Sequence, residues 1–488
     1  MKRKNIALIN YPGDYFAQFG SVLGRGGFNV FWVCINRSDA QYLLRNMSVP
    51  PRQVLDVNAG LKDRNCDTSA CREKLAYLEG SEGPRIYDII MMDRMLREKD
   101  LPFALQYLEH IRDKLSRFFA EKEISIVTSG RDSALQLMAM LVCRSMGIPW
   151  VVPTRLRIPK ETYGFCAGHD ADNFLRIRQR RPDDRKWSES VLENYQDTSS
   201  RPALKVAASS FKDVFSLIRP HFLHFLNLLK RSYFDRGNDF SRYTIPKIIG
   251  MYAKRRINMI TFNIVSPWTS PGTGPFCIYA LHTQPESSID VAGSFFSDQI
   301  ALIAFIARSL PVSHELYVKV HPTDVDGKTW AFYMRIKKIR GVRLIGADVD
   351  SLELIVKTSL VFTLAGTIGY EAGLRGKPVI AFAKNYFNAL PTVHYCGSPP
   401  ELPALVAALI DKPPPENWRS DVIEFLTDYR GRIFDGEVNR MYGTNPRRLT
   451  EADLAMLQNA YNVLFENLVI SREAQGRLIE REDERPAI

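Results

Sequence analysis

Residues 359–382, SLVFTLAGTIGYEAGLRGKPVIAF, constrain the fold more than any other stretch of the chain. Leu360, Val361 and Phe362 form the short apolar run of a buried parallel strand. Ala365 and Gly366 break that run, and Thr367 is placed to cap a helix reaching about Arg375. Gly376 suits the C′ position of that helix, and Pro378 opens a second strand where a helix cannot continue. Strand, helix and strand in this order need a parallel sheet, with the helix N-terminus aimed out of its carboxyl edge. Free N–H groups and the helix dipole make such a place attractive to phosphate. Glu371, one turn inside, is within reach of a sugar or ribose hydroxyl. The plain alternative is a βαβ turn whose glycines serve only the backbone.

The same alternation surrounds this stretch. Strands are expected at 276–281, 315–320 and 342–346, which with 360–362 and the run after Pro378 make five. Helices are expected at 296–309, 328–339 and 401–411, and at 351–358 behind an Asp350/Glu353 capping box. Alternation of this kind predicts a doubly wound α/β domain over 263–412.

A second such domain is expected over 1–200. It begins with a strand at 6–10, a helix from Asp14 to about 24 and a strand at 29–36. The GRGG run at 24–27 follows a helix and opens none, so it is no dinucleotide fingerprint. Residues 50–85 read as irregular, 86–93 as a strand and 101–122 as a helix. Residues 124–153 form a clear βαβ unit whose turn is Ser129, Gly130 and Arg131, with Asp132 or Ser133 as cap. Residues 155–165 and 172–186 read as loops and a connecting helix. Beyond 412 the chain is Pro-rich, then helical at 420–440 and 451–480, an extension (413–488) packed on the outside.

The net charge of +11 is concentrated. Residues 201–260 hold twelve Lys and Arg against three acidic residues, a surplus of nine. Within them 214–234 is rich in Phe and Leu. A basic, aromatic-aliphatic helix over this insert (201–262) predicts adsorption to an anionic membrane surface; the alternative is a linker helix packed between domains. No nucleic-acid fold signature accompanies the charge, so nucleic acid is not expected as a partner. Seven scattered cysteines, an odd number, predict free thiols in a reducing compartment. The N-terminal apolar run is too short for a signal peptide, and no stretch has the length of a membrane span. The expected location is cytoplasmic, peripheral to the inner face of the plasma membrane.

In a parallel sheet the loops 282–286, 321–323 and 364–368 leave from strand carboxyl ends and converge. They bring His282, Gln284, Glu286, His321 and Thr367 together, with Lys319 and Thr323 flanking His321.

These residues carry a specific resemblance. The motifs are YALHTQPES (279–287), YVKVHP (317–322), DSLELI (350–355), GTIGYEAGLRGKPVIAF (366–382) and YFNALP (386–391). Through them residues 279–396 resemble bacterial capsule and surface-polysaccharide biosynthesis proteins related to the Kdo-transferring capsule synthases. That resemblance implies the GT-B arrangement, two Rossmann-like domains facing a cleft. It implies a glycosyltransferase taking a nucleotide-sugar donor to a polysaccharide or lipid-linked acceptor, with no cofactor and no obligatory metal. His321 would hold the phosphate of a CMP-activated sugar. Lys319, Gln284, Gly366 and Thr367 would complete the donor site, and Glu371 would contact ribose or sugar. Other GT-B enzymes place the Glu one residue closer to the Thr, which leaves the donor nucleotide open. The acceptor hydroxyl needs a base, for which the order is Glu286, Glu161, Asp14; Asp14 and Arg131 would lie on the acceptor side. A teichoic-acid-type polyol-phosphate transferase, a non-catalytic capsule-assembly scaffold and a sugar-nucleotide epimerase stand as alternatives.

Overall fold

The alternating pattern over the second half of the chain is realised as one parallel sheet. In the computed structural model its strands are Phe276–Ala280, Glu315–Lys319, Val342–Ile345, Leu360–Thr363, Val379–Ala381 and Val393–Tyr395. The structure describes residues 4–9, 14–61, 67–80, 83–156, 158–169, 174–196, 226, 244–265, 267, 268, 270, 272–322, 324–436 and 450–483. The chain divides into two compact units, one of 1–86, 99–184 and 427–488, the other of 87–98 and 185–426.

In the first unit the strands are β1 (Asn5–Ile9), β2 (Asn29–Cys34), β3 (Val54–Asp56), β4 (Ile126–Thr128), β5 (Trp150–Leu156) and β6 (Thr162–Cys166). They run β6-β5-β4-β1-β2-β3, with β1 to β5 parallel and β6 antiparallel to β5. This is doubly wound order, with the winding reversing between β1 and β4.

Four expectations are corrected here. Residues 86–93, expected as a strand, form the helix Ile86–Met92. Ile86, Ile89 and Ile90 are buried while Tyr87 and Met91 are exposed, the spacing of a helical face and not of a strand. The third strand comes instead from the stretch read as irregular, which also holds the helix Thr68–Ala76, capped by the Asp67 carboxylate on the N–H groups of Ser69 and Ala70. Residues 155–165, read as loop, are the end of β5 and its return as β6, all of whose residues are buried.

The fourth concerns 413–488, which is no outer extension. Ile433–Asp435 adds an antiparallel strand beside β6. The helix Glu451–Asp483 puts Leu454, Leu457, Tyr461, Leu464 and Phe465 into the core with Phe19, Trp32 and Phe165. The Tyr461 hydroxyl also meets Thr128 Oγ1 at 2.6 Å. An apolar stripe at helical spacing must bury itself, and the open face of the first sheet receives it. The compact units change over after Asp184 and after Leu426, where the expected boundaries were 200 and 412.

In the second unit the strands become β7 (Phe276–Ala280), β8 (Glu315–Lys319), β9 (Val342–Ile345), β10 (Leu360–Thr363), β11 (Val379–Ala381) and β12 (Val393–Tyr395). All are parallel, in the order β12-β11-β10-β7-β8-β9. One strand more than expected is present, β12. The reversal of winding lies between β7 and β10. The helix after β10 runs Thr367–Gly373 with Gly366 at the cap position, so Thr367 is its first residue and not its cap. Gly376, at φ +76°, ends the turn that follows, and the Lys377 N–H reaches back to the Ala372 carbonyl at 3.1 Å. Asp350 caps its helix through the Leu352 N–H, while Glu353 pairs with Lys357.

The amphipathic stretch expected at 214–234 lies outside the described residues apart from Leu226. The helix Ile245–Val265 is described, and Phe262 packs on Tyr333 with ring centres 4.9 Å apart. Among the described residues no helix is long and apolar enough to cross a membrane.

Candidate functional site

Ligands of doubly wound sheets sit outside the carboxyl ends of the strands where the winding reverses. In the second unit that place is bounded by the loops after β7, β10 and, next to β7, β8. One side chain ties the first two together. The Leu364 N–H, just past β10, donates to His282 Nε2 at 3.2 Å, just past β7. A ring nitrogen that accepts carries no proton, so the neutral imidazole holds its N–H at Nδ1. The ring edge beside it packs on Gly366, with Cε1 2.8 Å and Nδ1 3.6 Å from where a β-carbon on Gly366 would stand. His282 is buried. Burial, then the charges of His321 and Lys328, push its pKa down to about 3.

This has a consequence for stability. His282 has a folded pKa below the ordinary value of 6.5. As pH falls below about 6.5 the unfolded chain takes up a proton that the folded protein refuses. Stability is therefore whole above pH 6.5 and declines toward pH 3, at up to about 1.4 kcal/mol per pH unit from this group. Denaturant midpoints measured from pH 7 to pH 4 should fall, and fall less in His282→Gln, which cannot titrate.

The β7 loop is held by a second network. Gln299 accepts from the His282 N–H at 2.8 Å and donates to the His282 carbonyl at 3.0 Å. It also donates to Gln284 Oε1 at 2.6 Å. The Gln284 amide nitrogen donates to Asp290 and to the Ser297 carbonyl. Gln284, expected as a donor ligand, thus has both ends of its amide engaged in shaping this loop. Glu286 is half-buried at the cap position of the short helix Ser287–Asp290.

His321 follows β8 directly. Its carbonyl accepts from the Asp324 N–H and the Asp324 carbonyl from the Gly327 N–H, both at 3.1 Å. The two turns bring the chain back at Lys328. That side chain is only 12% exposed and stands 3.6 Å from the Asp324 carboxylate. His321 and Lys328 both act on His282, so three nitrogen-bearing side chains share one region at the carboxyl ends of β7 and β8. Lys328 was not singled out in the sequence. Its signal is the Asp326-Gly327 turn after the His-Pro pair, which only the fold-back makes meaningful.

The other expected residues take the following places. Lys319, at the end of β8, is buried, and its ammonium donates to the Ala347 carbonyl at 3.4 Å, bracing the loop after β9. Burial lowers its pKa to about 8, with Asp348 and Asp350 opposing the shift. Gly366 has no room for a side chain, because a β-carbon there would stand 2.8 Å from His282 Cε1 and 2.9 Å from Thr363 Oγ1. Thr363 Oγ1 accepts the Gly366 N–H at 2.8 Å. Thr367 is half-buried beside it. Glu371 is buried in the same helix, whose backbone is held by the Tyr195 hydroxyl donating to the Glu371 carbonyl at 3.0 Å.

Asp14, Arg131 and Glu161 belong to the first unit. Asp14 opens the helix Asp14–Arg25. The Arg131 guanidinium is engaged with Thr154 Oγ1 at 2.5 Å and with the His169 carbonyl at 3.3 Å. Glu161 is exposed on the turn between β5 and β6, at φ +57°. Thr323 lies outside the described residues. The six described cysteines are buried. Burial pushes the Cys277 thiol up to about 12 and Cys396 up to about 11, away from thiolate chemistry. Among the described residues no group of three or more His, Cys, Asp and Glu is placed to hold a metal ion.

No curated protein sequence matches the chain. Among solved structures, similarity is found to a UDP-GlcNAc 2-epimerase from Methanocaldococcus jannaschii, 12% identical, covering 87% of this chain and 99% of that one with a TM-score of 0.25. It is also found to two structures of KpsC from Thermosulfurimonas dismutans. The beta Kdo 2,7 transferase is 11% identical over 71% of this chain and 89% of that one, TM-score 0.31. The beta Kdo 2,4 transferase is 15% identical over 62% and 87%, TM-score 0.27. Residues 226–391, which include His282, His321, Lys328 and Gly366, match the family described as capsule polysaccharide biosynthesis protein.

Proposed function

We propose that this chain is a glycosyltransferase of surface-polysaccharide synthesis. It moves a sugar from a nucleotide-activated donor to a growing capsular or other surface polysaccharide, or to its lipid-linked acceptor. The observation that carries the reading is the grouping of His282, His321 and Lys328 at the point where the second sheet reverses its winding. As the bond from sugar to nucleotide phosphate breaks, negative charge grows on the leaving oxygen. Donors fixed before the reaction stabilise that charge without reorganising. In this scheme His282 offers a neutral Nδ1–H held by its bond to Leu364, His321 offers a second donor, and Lys328 supplies the balancing positive charge. Gly366 keeps the approach to these groups open, and Glu371 lies along the helix that follows for the sugar or ribose. The acceptor hydroxyl gives its proton to a carboxylate. Glu286 stands on the β7 loop itself and is the candidate base. The scheme uses no cofactor, and the nucleotide sugar is a substrate.

The basic insert is proposed to hold the protein at an anionic membrane surface on the cytoplasmic side, where a lipid-linked acceptor is met.

Titration calorimetry with CMP, CDP and UDP tests the donor site. One of the three should bind, and Lys328→Met should weaken it by about tenfold or more, the worth of one charged hydrogen bond. No binding by any of them would leave the scaffold reading in place of the enzyme.

A further inference from the structure

The helix Ile245–Val265 has two apolar faces. One is used: Ile248, Phe262 and Val265 are buried, and Asn258 donates to the Asp326 carbonyl at 2.9 Å. Arg255 stands 3.8 Å from the Asp326 carboxylate. The helix therefore grips the loop that carries His321 and Lys328. The other face is exposed. Ile249, Ile257, Ile260 and Ile264 are 51%, 59%, 64% and 69% exposed, and their spacing puts them in one stripe with exposed Ala253. Lys254 and Arg256 are exposed beside the stripe. No Asp or Glu occurs between Ile245 and Val265, against four Lys and Arg.

We infer that the isoleucine stripe of this helix is the face by which the protein lies on an anionic lipid bilayer. The inference rests on the membrane reading above and names the site. Apolar side chains enter the boundary between headgroups and acyl chains while flanking cations meet the lipid phosphates. A water-exposed row of four isoleucines is otherwise costly, and a helix that carries four cations and no carboxylate suits a negative surface. Because the opposite face holds the 321–328 loop, the donor loop stands about one helix diameter, ~10 Å, from the lipid. An acceptor anchored in that bilayer is then presented next to the donor.

Flotation of the full chain with vesicles tests this, using phosphatidylglycerol-containing vesicles and pure phosphatidylcholine vesicles. The unaltered protein should float with the first and not the second. Ile257→Glu with Ile260→Glu should lower binding by about tenfold or more, and Lys254→Glu with Arg256→Glu should do the same. All four side chains are exposed, so the unfolding temperature should hold. If the protein floats and both double variants float equally well, the stripe is not the lipid face, and the membrane reading survives through another segment. If the unaltered protein does not float, both fall. A dimer that becomes monomeric on Ile257→Glu with Ile260→Glu, with vesicle binding unchanged, would assign the stripe to a second copy of the chain and overturn the lipid assignment.

Discussion

His321→Ala should lower kcat/KM for sugar transfer by about 10²- to 10³-fold while leaving the unfolding temperature unchanged. The magnitude is that of removing one preorganised donor from a developing negative charge. The unchanged stability follows from position: His321 is half-buried on a loop past the end of β8, not within the core of the second unit. Combining it with Lys328→Met should cost less than the product of the two single effects, because both groups serve one oxygen. Donor turnover, nucleotide calorimetry and thermal unfolding on the same preparations check this. Full activity in His321→Ala would remove the residue from the site.

Gly366→Ala should both destabilise the second unit and weaken nucleotide binding. The backbone at Gly366 is ordinary, at φ −76°, so the requirement is for space and not for a left-handed conformation. A methyl group there meets His282 Cε1 and Thr363 Oγ1 below 3 Å. Neither neighbour yields easily. The imidazole is fixed by the Leu364 N–H, and the threonine hydroxyl accepts the Gly366 N–H. Overpacking of this kind costs about 1–3 kcal/mol, or roughly 2–10 °C in unfolding temperature for a unit of this size. Moving His282 also turns its Nδ1–H away, so nucleotide affinity should fall further than stability does. A variant with unaltered unfolding temperature and unaltered nucleotide affinity would show that the two loops are not held as tightly as their hydrogen bonds imply.

The parts of the fold that were legible in the chain are those whose causes are local. The units around 124–153 and 359–382 announce themselves through a short apolar run, a polar residue at the helix start and a glycine behind its end. Ser133 caps its helix through the Gln136 N–H, and Gly376 has the positive φ its position demands. Residues 86–92 misled because seven apolar-rich residues suit either element, and only the pattern of burial chose the helix. β6 and Ile433–Asp435 were missed because each strand's meaning lies in its partner, and those two pair across more than half the chain.

The candidate site divides in the same way. His321 and Gly366 were marked by motifs that sit next to strand ends in the sequence itself. Local propensity and periodicity were thus enough to establish two doubly wound sheets and to point at the loops leaving them. Only tertiary structure made Lys328 a neighbour of His282, set the proton of that imidazole on Nδ1, engaged Gln284 within its own loop and returned the last helix to the first sheet. The reason is physical: periodicity and caps act between residues a few positions apart, whereas burial, charge coupling and a shared hydrogen bond depend on which distant segments the packed chain brings into contact.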